Sequence, residues 1–253
     1  MSALIQGDTM DEIVRRLKSL DGFNKASELE LKQWASFMRC VRHSAREVLY
    51  RKNDKINDIF ILLCGSVRVY DAVSTSERKI FNFLARGEYL GIAMAGLPTP
   101  QHPATVQCIE DCTFISMPLS VYNDLLKKMP EIRGVVNRQI SERFLELQND
   151  ICISHQLTPT RVADLLIRLL KKQDLLGSYR LQIPLTRLDI AERIGAQSET
   201  VIRILSQWTK HGWIRTDDRH IEILNPQILE DIRHGKNIRR ASSAASNAAG
   251  HDL

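Results

Sequence analysis

The apolar residues change their period twice along this chain. From about residue 10 to 40, "DEIVRRLKSL" and "SELELKQWASFM" repeat them at helical offsets, which predicts short helices. From Glu47 to Pro118 the runs shorten. "VLYRKND", "DIFILLCGSVRVYDA", "KIFNFLA" and "TVQCIEDCTFISMP" are rich in Val, Ile, Phe and Tyr, and turn signals such as "KND", "CGS" and "ARGE" separate them. Many short strands at near-regular spacing predict an antiparallel roll or barrel. Helical spacing then returns in "SVYNDLLKKMPEIRGVVNRQISERFLELQNDICISHQL". Within it Ile132, Val136, Ile140, Phe144, Leu147 and Ile151 form a narrow stripe, flanked by Arg138, Glu142 and Asp150. So thin a seam suits packing against a second copy of the same helix. The alternative is a helix lying along the roll.

"LTPTRV" should end the long helix, because the residue before a proline is pushed out of helical geometry. Beyond this boundary the pattern predicts the helix "TRVADLLIRLLKKQ", a short strand around "RLQIP" and two helices between Thr186 and His211. A hairpin follows in "GWIRTDDRHIEIL", turning on Asp217 and Asp218. The tail "KNIRRASSAASNAAGHDL" is poor in bulky apolar residues and is expected to be disordered. Lys236, Arg239 and Arg240 at its root either touch phosphate or stay solvated. The predicted class is α+β. Residues 1–128 make an antiparallel β-roll sensor with N-terminal helices, 129–156 a long dimerisation helix, 157–235 a winged helix-turn-helix and 236–253 the tail.

Composition narrows the function. With 253 residues, 43% hydrophobic and 26% charged, the chain can bury the cores of about two domains. No apolar run approaches the roughly 20 residues needed to cross a bilayer, and the start lacks the pattern of a signal peptide. The cytoplasm is therefore the expected compartment, with no membrane partner. The net charge is +5, and residues 160–240 hold all the excess, with 15 Lys and Arg against 10 Asp and Glu. That placement is expected of a segment facing phosphates. Five scattered cysteines argue against a disulfide framework, and Cys108 and Cys112 read as small buried residues of adjoining strands. No Cys/His cluster has zinc spacing, so no metal site is expected. The seven histidines are dispersed, and no nucleophile and base stand together. This weighs against the rival reading, a cupin-like enzyme with a DNA-binding tether.

The most specific segment is "TRLDIAERIGAQSETVIRILSQWTKHGWI". Leu188, Ile190, Ala191 and Ile194 mark one helix, Gly195 permits a turn, and Val201, Ile204, Leu205 and Trp208 mark the core face of a second. This is the pattern of a helix-turn-helix. The second helix also carries Glu199, Ile202, Arg203 and Ser206 on another face. A carboxylate, an apolar group and a guanidinium side by side suit the edges of base pairs in double-stranded DNA. The bland alternative is a solvated i,i+4 ion pair between Glu199 and Arg203.

These stretches together resemble the CRP/FNR superfamily of bacterial transcription regulators over nearly all of residues 20 to 230. In the first half the resemblance rests on "EVLYRKNDKINDIFILLCGSVRVY", similar to the family's entry into its cyclic-nucleotide-binding-type roll. It continues in "RGEYLGIAMAGLPTPQHPATVQCIEDCTFISMP", which is closer to the FNR branch than to the CRP branch. The resemblance implies a homodimer joined along the central helix, an effector acting through the roll, and contact with RNA polymerase by analogy, for which "STSERK" is a candidate loop. Glu199, Thr200 and Arg203 match the family's "E-T-x-x-R", which reads a TGA half-site. The carboxylate accepts from cytosine N4, and the guanidinium donates to guanine O6 and N7. Ile202 replaces the serine or glycine of relatives and suits a thymine methyl. Ser198 replaces an arginine, which argues against a TGTGA half-site. Gln197 stands at the usual Ser/Thr cap and puts that phosphate contact in doubt.

The sensor half departs from the family's known ligands. Cyclic AMP binding needs a glutamate and an Arg-Ser pair, where this chain has "GIAMAG" and "QHPAT". An FNR-type iron–sulfur cluster needs N-terminal cysteines, and residues 1–39 have none; its ligand in the roll falls at Ser116. By elimination the chain is similar to FNR-branch regulators that respond to nitric oxide and nitrosative stress and are associated with haem. Candidate haem ligands are His43, His102, Met94 and Met117, with Ile92 lining the same effector pocket. A ligand-independent regulator is the other expectation.

Overall fold

The structure is a computed structural model and describes residues 9–72, 74, 77–173 and 179–236. Two compact units divide between Asn149 and Asp150. The division falls inside the helix that the sequence pattern sets apart as its own segment.

The first unit opens with α1 (Met10–Lys18) and α2 (Glu28–Ala35). Thr9 caps the first by accepting from the Glu12 amide, and Ser27 with Glu30 forms a capping box on the second. Among the described residues eight strands follow: β1 (Arg39–His43), β2 (Val48–Tyr50), β3 (Asp58–Cys64), β4 (Val67–Ala72), β5 (Arg78–Leu84), β6 (Tyr89–Leu90), β7 (Thr105–Cys108) and β8 (Cys112–Pro118). They form two four-stranded sheets, ordered β1-β8-β3-β6 and β2-β7-β4-β5. Period-two alternation sends Ile59, Ile61 and Leu63 of β3, with Ile115 and Met117 of β8, to a face that packs on helices. Phe60, Leu62, Cys112 and Phe114 turn the other way and meet Val67, Leu84, Val106 and Cys108 inside the roll. Two strands escaped the pattern. β1 reads "RCVRH", too charged to alternate, and is made a strand by its register with β8, from Arg39 opposite Ser116 to His43 opposite Cys112. β6 is only two residues long.

Helices α3 (Leu119–Lys128) and α4 (Pro130–Ile153) complete this part of the chain. α4 stops short of the expected Leu157, where the Ser154 hydroxyl turns back onto the Ile151 carbonyl at 2.7 Å. The predicted stripe needs correction at its start. Ile132 and Val136 are buried in the core beneath the roll and are not free to meet a second copy. From Ile140 onward the stripe is open: Phe144, Leu147 and Ile151 are 59%, 49% and 72% exposed, with Leu145 beside them at 60%. A second face of α4 holds the roll instead. Gln139 accepts from the Tyr89 amide at 2.9 Å and donates to the Gly87 carbonyl at 3.0 Å, Arg143 donates to the Tyr89 carbonyl at 2.6 Å, and Glu146 accepts from Asn82 at 2.6 Å. The Gln139 and Arg143 bonds cover edge strand β6, whose Tyr89 amide and carbonyl would otherwise stay unpaired, and the Glu146 bond reaches β5.

The second unit contains α5 (Thr158–Lys172), α6 (Arg187–Ile194), α7 (Ser198–Lys210), β9 (Ile214–Asp217), β10 (His220–Ile223) and α8 (Pro226–Arg233). Three sequence expectations change. "RLQIP" is a single bridge from Arg180 to Glu222 rather than a strand, although Leu181 still donates to the Ile221 carbonyl at 2.8 Å. The hairpin turns one residue later than expected, on Asp218 and Arg219, both with positive φ as a tight two-residue turn requires. Helix α8 was not anticipated; Asn225 caps it through the Ile228 amide, and Pro226 opens it. The tail lies outside the described residues apart from Lys236, so its expected disorder and the Arg239 and Arg240 contacts do too.

Candidate nucleic-acid interface and the roll

Local chemistry sets the helix-turn-helix. Thr186 caps α6 and closes a capping box with Asp189. Gly195 ends that helix at φ 68°, ψ 50°, a left-handed conformation that a side chain disfavours. The turn delivers α7 with Val201, Ile204, Leu205 and Trp208 buried. Ile190 and Ala191 are likewise buried in α6, whereas Leu188, expected in its core, is exposed.

The other face of α7 lies open. Glu199, Ile202, Arg203 and Ser206 are exposed, Gln197 is exposed at the N-cap, and Ser198 and Thr200 are half-buried. Gln197 makes no capping bond. Glu199 accepts from the Ser198 hydroxyl at 3.1 Å, and among the described residues Arg203 has no ion-pair partner. Ile202 is 46% exposed between these two charges. A carboxylate acceptor, an apolar side chain and an uncommitted guanidinium thus share one surface within a single helical turn.

The surrounding charge is sorted by the fold. Arg168, Arg193 and Arg233 are spent inside the unit on Asp150 and Asp164, while Arg180 pairs with Asp217 and Arg215 with Glu222. Arg203, Lys210 and Arg219 are left with no carboxylate partner among the described residues. The charge count alone therefore overstated how many cations can face phosphate. Sequence reasoning missed Arg187, which follows the Thr186 cap. It donates to Thr216 Oγ1 of β9 at 3.1 Å, and its half-burial holds its pKa below the usual arginine value. Its position at the first residue of α6, beside the wing, was the available signal.

In the first unit, the residues expected to line an effector pocket do not converge on one site: three share one core, and the two histidines stand at opposite ends of the roll interior. Ile92 and Met117 are buried in the core that faces the helices, and Met94 packs against it. His102 stacks on Tyr50 with ring centroids 3.5 Å apart, and its Nδ1 is buried without a partner. Burial pushes its pKa down from 6.5 to about 4, against a weaker pull upward from Asp54. His43 faces Glu47 at 3.0 Å and meets Phe114 edge-on. Phe114, Phe60 and Tyr50 then form an aromatic chain across the roll interior that keeps the two histidines at opposite ends. Gly91 sits at φ 90°, where a side chain would press on Ile59 at 3.1 Å and on His102 at 3.4 Å. Arg143 was not anticipated. It faces Glu88 at 3.8 Å, and its Nε is buried and unbonded. The nearby Tyr89 hydroxyl is also buried without a partner.

Comparison with known proteins agrees with both halves. Residues 40–129 match the cyclic nucleotide-binding domain family, and residues 160–232 match the Crp-like helix-turn-helix domain family. The anaerobic regulatory protein of Pasteurella multocida is 26% identical over 192 residues, 74% of this chain and 68% of that protein. The fumarate and nitrate reduction regulatory protein of Escherichia coli is 24% identical over 196 residues, 76% of this chain and 78% of that one. FixK2 from Bradyrhizobium japonicum has the same fold, with a TM-score of 0.66 at 21% identity over 77% of this chain and 96% of that chain. A roll of this type carried with a Crp-like helix-turn-helix defines a DNA-binding transcription regulator. The two domains together are those of a CRP/FNR-type DNA-binding transcription regulator.

Proposed function

We propose that the protein works as a homodimer that reads palindromic DNA with TGA-containing half-sites. The carrying observation is the open face of α7, where Glu199, Ile202 and Arg203 stand exposed and Arg203 is uncommitted. In the major groove Glu199 would accept from cytosine N4, Arg203 would donate to guanine O6 and N7, and Ile202 would touch a thymine methyl. Two copies meeting along the exposed α4 residues Ile140, Phe144, Leu147 and Ile151 would place the half-sites about 10–10.5 bp apart. Phe144 at such a seam would leave water on both subunits. The reading is that of a binding protein with no catalytic step, located in the cytoplasm and contacting RNA polymerase; Thr75 and Ser76 of the candidate loop "STSERK" lie outside the described residues. No described helix is long and apolar enough to cross a membrane.

In this reading the effector acts through the roll, and buried Ile92, where the resemblance calls for a carboxylate, weighs against cyclic AMP. Nitric oxide acting through haem is the response the FNR-branch likeness favours. The donor set does not fit a haem here. Met94 and Met117 face the helix core, His102 is packed against Tyr50 and Gly91, and His43 sits at the far end of the aromatic chain.

The test is binding to a duplex carrying a TTGAC-type palindrome against a scrambled duplex of equal length. The palindrome should bind at least a hundredfold more tightly, and Arg203→Ala should erase most of that preference. Equal affinity for the two duplexes would overturn the reading. A haem titration run alongside should give no saturable absorption band at one haem per protomer; such a band would restore the haem response.

A further inference from the structure

Base reading depends on side chains that never touch a base, because α7 must be aimed before Arg203 can reach a guanine. The turn at Gly195 is held from two sides. Arg161 of α5 donates to the Ile194 carbonyl, the last of α6, at 2.8 Å. Arg193, one residue earlier and 4% exposed, donates to Asp150 Oδ2 at 2.6 Å. The other oxygen of the same carboxylate, Oδ1, accepts from Arg168 of α5 at 2.8 Å. Asp150 itself lies in the last turn of α4, on the second unit's side of the division. Arg168 continues to buried Asp164 at 2.7 Å, which also accepts from Arg233 of α8 at 2.9 Å.

We propose that Asp150 is a positioning residue for base recognition: its two oxygens bind α6 through Arg193 and α5 through Arg168, and so fix the turn that aims α7. The inference rests on the DNA-reading proposal above. Short charge-assisted bonds to both oxygens define direction as well as distance. Bidentate base contacts fail when their support is loose by about an ångström, whereas phosphate contacts carry no sequence information. Loss of the clamp should therefore lower discrimination between sequences more than it lowers general DNA affinity.

The experiment uses the full chain with Asp150→Asn, an uncharged substitution of nearly equal volume. Binding is measured to the palindromic and the scrambled duplex. Affinity for the palindrome should fall at least tenfold while affinity for scrambled DNA moves less than twofold. Asp150→Glu, which keeps the charge, should return to within threefold of the unaltered chain. Discrimination unchanged in Asp150→Asn overturns the proposal, as does an equal loss on both duplexes. Should circular dichroism show Asp150→Asn unfolded, Arg193→Lys replaces it, keeping the charge while losing the guanidinium fork; unchanged discrimination there is equally fatal. If the unaltered chain itself does not discriminate, the DNA reading has failed, and hydrogen exchange judges the clamp separately. Amides of residues 190–194 should then exchange at least tenfold faster in the variant, and unchanged exchange would overturn the clamp.

Discussion

In the first unit, Arg143, Tyr89 and His102 each keep a polar atom buried with nothing to bond, whereas on α7 an isoleucine stands in water beside two charged residues. Each arrangement is costly where it stands. A buried polar atom without a partner forfeits its hydration, and an exposed apolar side chain gives up burial. The reader keeps its departure on a surface, where a partner can meet it without any rearrangement of the protein. The first unit keeps its departures buried, where any partner must first gain entry. A surface that recognises a fixed polymer can be rigid; a buried site must open before it can admit a partner.

The two units can be separated experimentally because Trp34 lies in the first and Trp208 and Trp213 in the second. The largest expected effect is in the reader. Asp164 is 2% exposed and accepts from both Arg168 and Arg233. Asp164→Ala should cost the second unit about 3–5 kcal/mol, because it removes a buried carboxylate and leaves the half-buried guanidinium groups of Arg168 and Arg233 short of an acceptor. Denaturant unfolding followed at Trp208 and Trp213 should show it, with the Trp34 signal unmoved.

The next effect belongs to the roll and depends on pH. Burial holds His102 near a pKa of about 4 in the folded state, below the 6.5 of a free histidine. The unfolded chain therefore takes up the proton first as pH falls. The contribution is complete above about pH 6.5, declines between there and about pH 4, and changes no further below. It amounts to about 3 kcal/mol. His102→Phe, which preserves the stack on Tyr50, should lack that portion of the pH dependence; a profile identical to the unaltered chain would show that His102 titrates normally.

Phe144→Glu should weaken self-association by about 2 kcal/mol or more in sedimentation, leaving the exposed protomer surface otherwise intact. Arg203→Ala should cost about 2 kcal/mol of base discrimination with no change in melting temperature. The smallest pair makes the cleanest comparison. Ser27 and Thr186 close the same capping box in different units. Replacing either by alanine should cost about 1 kcal/mol of stability, and only Thr186→Ala should also weaken DNA binding.

Much of this was legible beforehand, for identifiable reasons. The strands β3, β5, β7 and β8 were visible because each is a short run rich in Val, Ile, Phe and other apolar residues bounded by turn signals, as strands that bury much of their surface must be. β1 was invisible because its strand character comes from β8, some seventy residues away. The reading helix could be found because its apolar spacing was complete without Ile202, which left that residue unexplained. Arg143 and Asp150 gave no such signal, since an arginine or aspartate on a long helix is ordinary until its partners are known.

The amino-acid sequence by itself determined the order of roll, long helix and helix-turn-helix, and placed the three contact chemistries on one face of α7. Both follow from periodicity and local turn chemistry, which act over a few residues. Tertiary structure alone decided which cations are left free for phosphate, where the open stripe of α4 begins, and how the candidate effector residues are dispersed. Each of these depends on pairs far apart in the chain, such as Arg193 with Asp150 and His102 with Tyr50. A buried charge or ring takes its meaning from the neighbour that desolvates or neutralises it, and that neighbour is chosen by the fold.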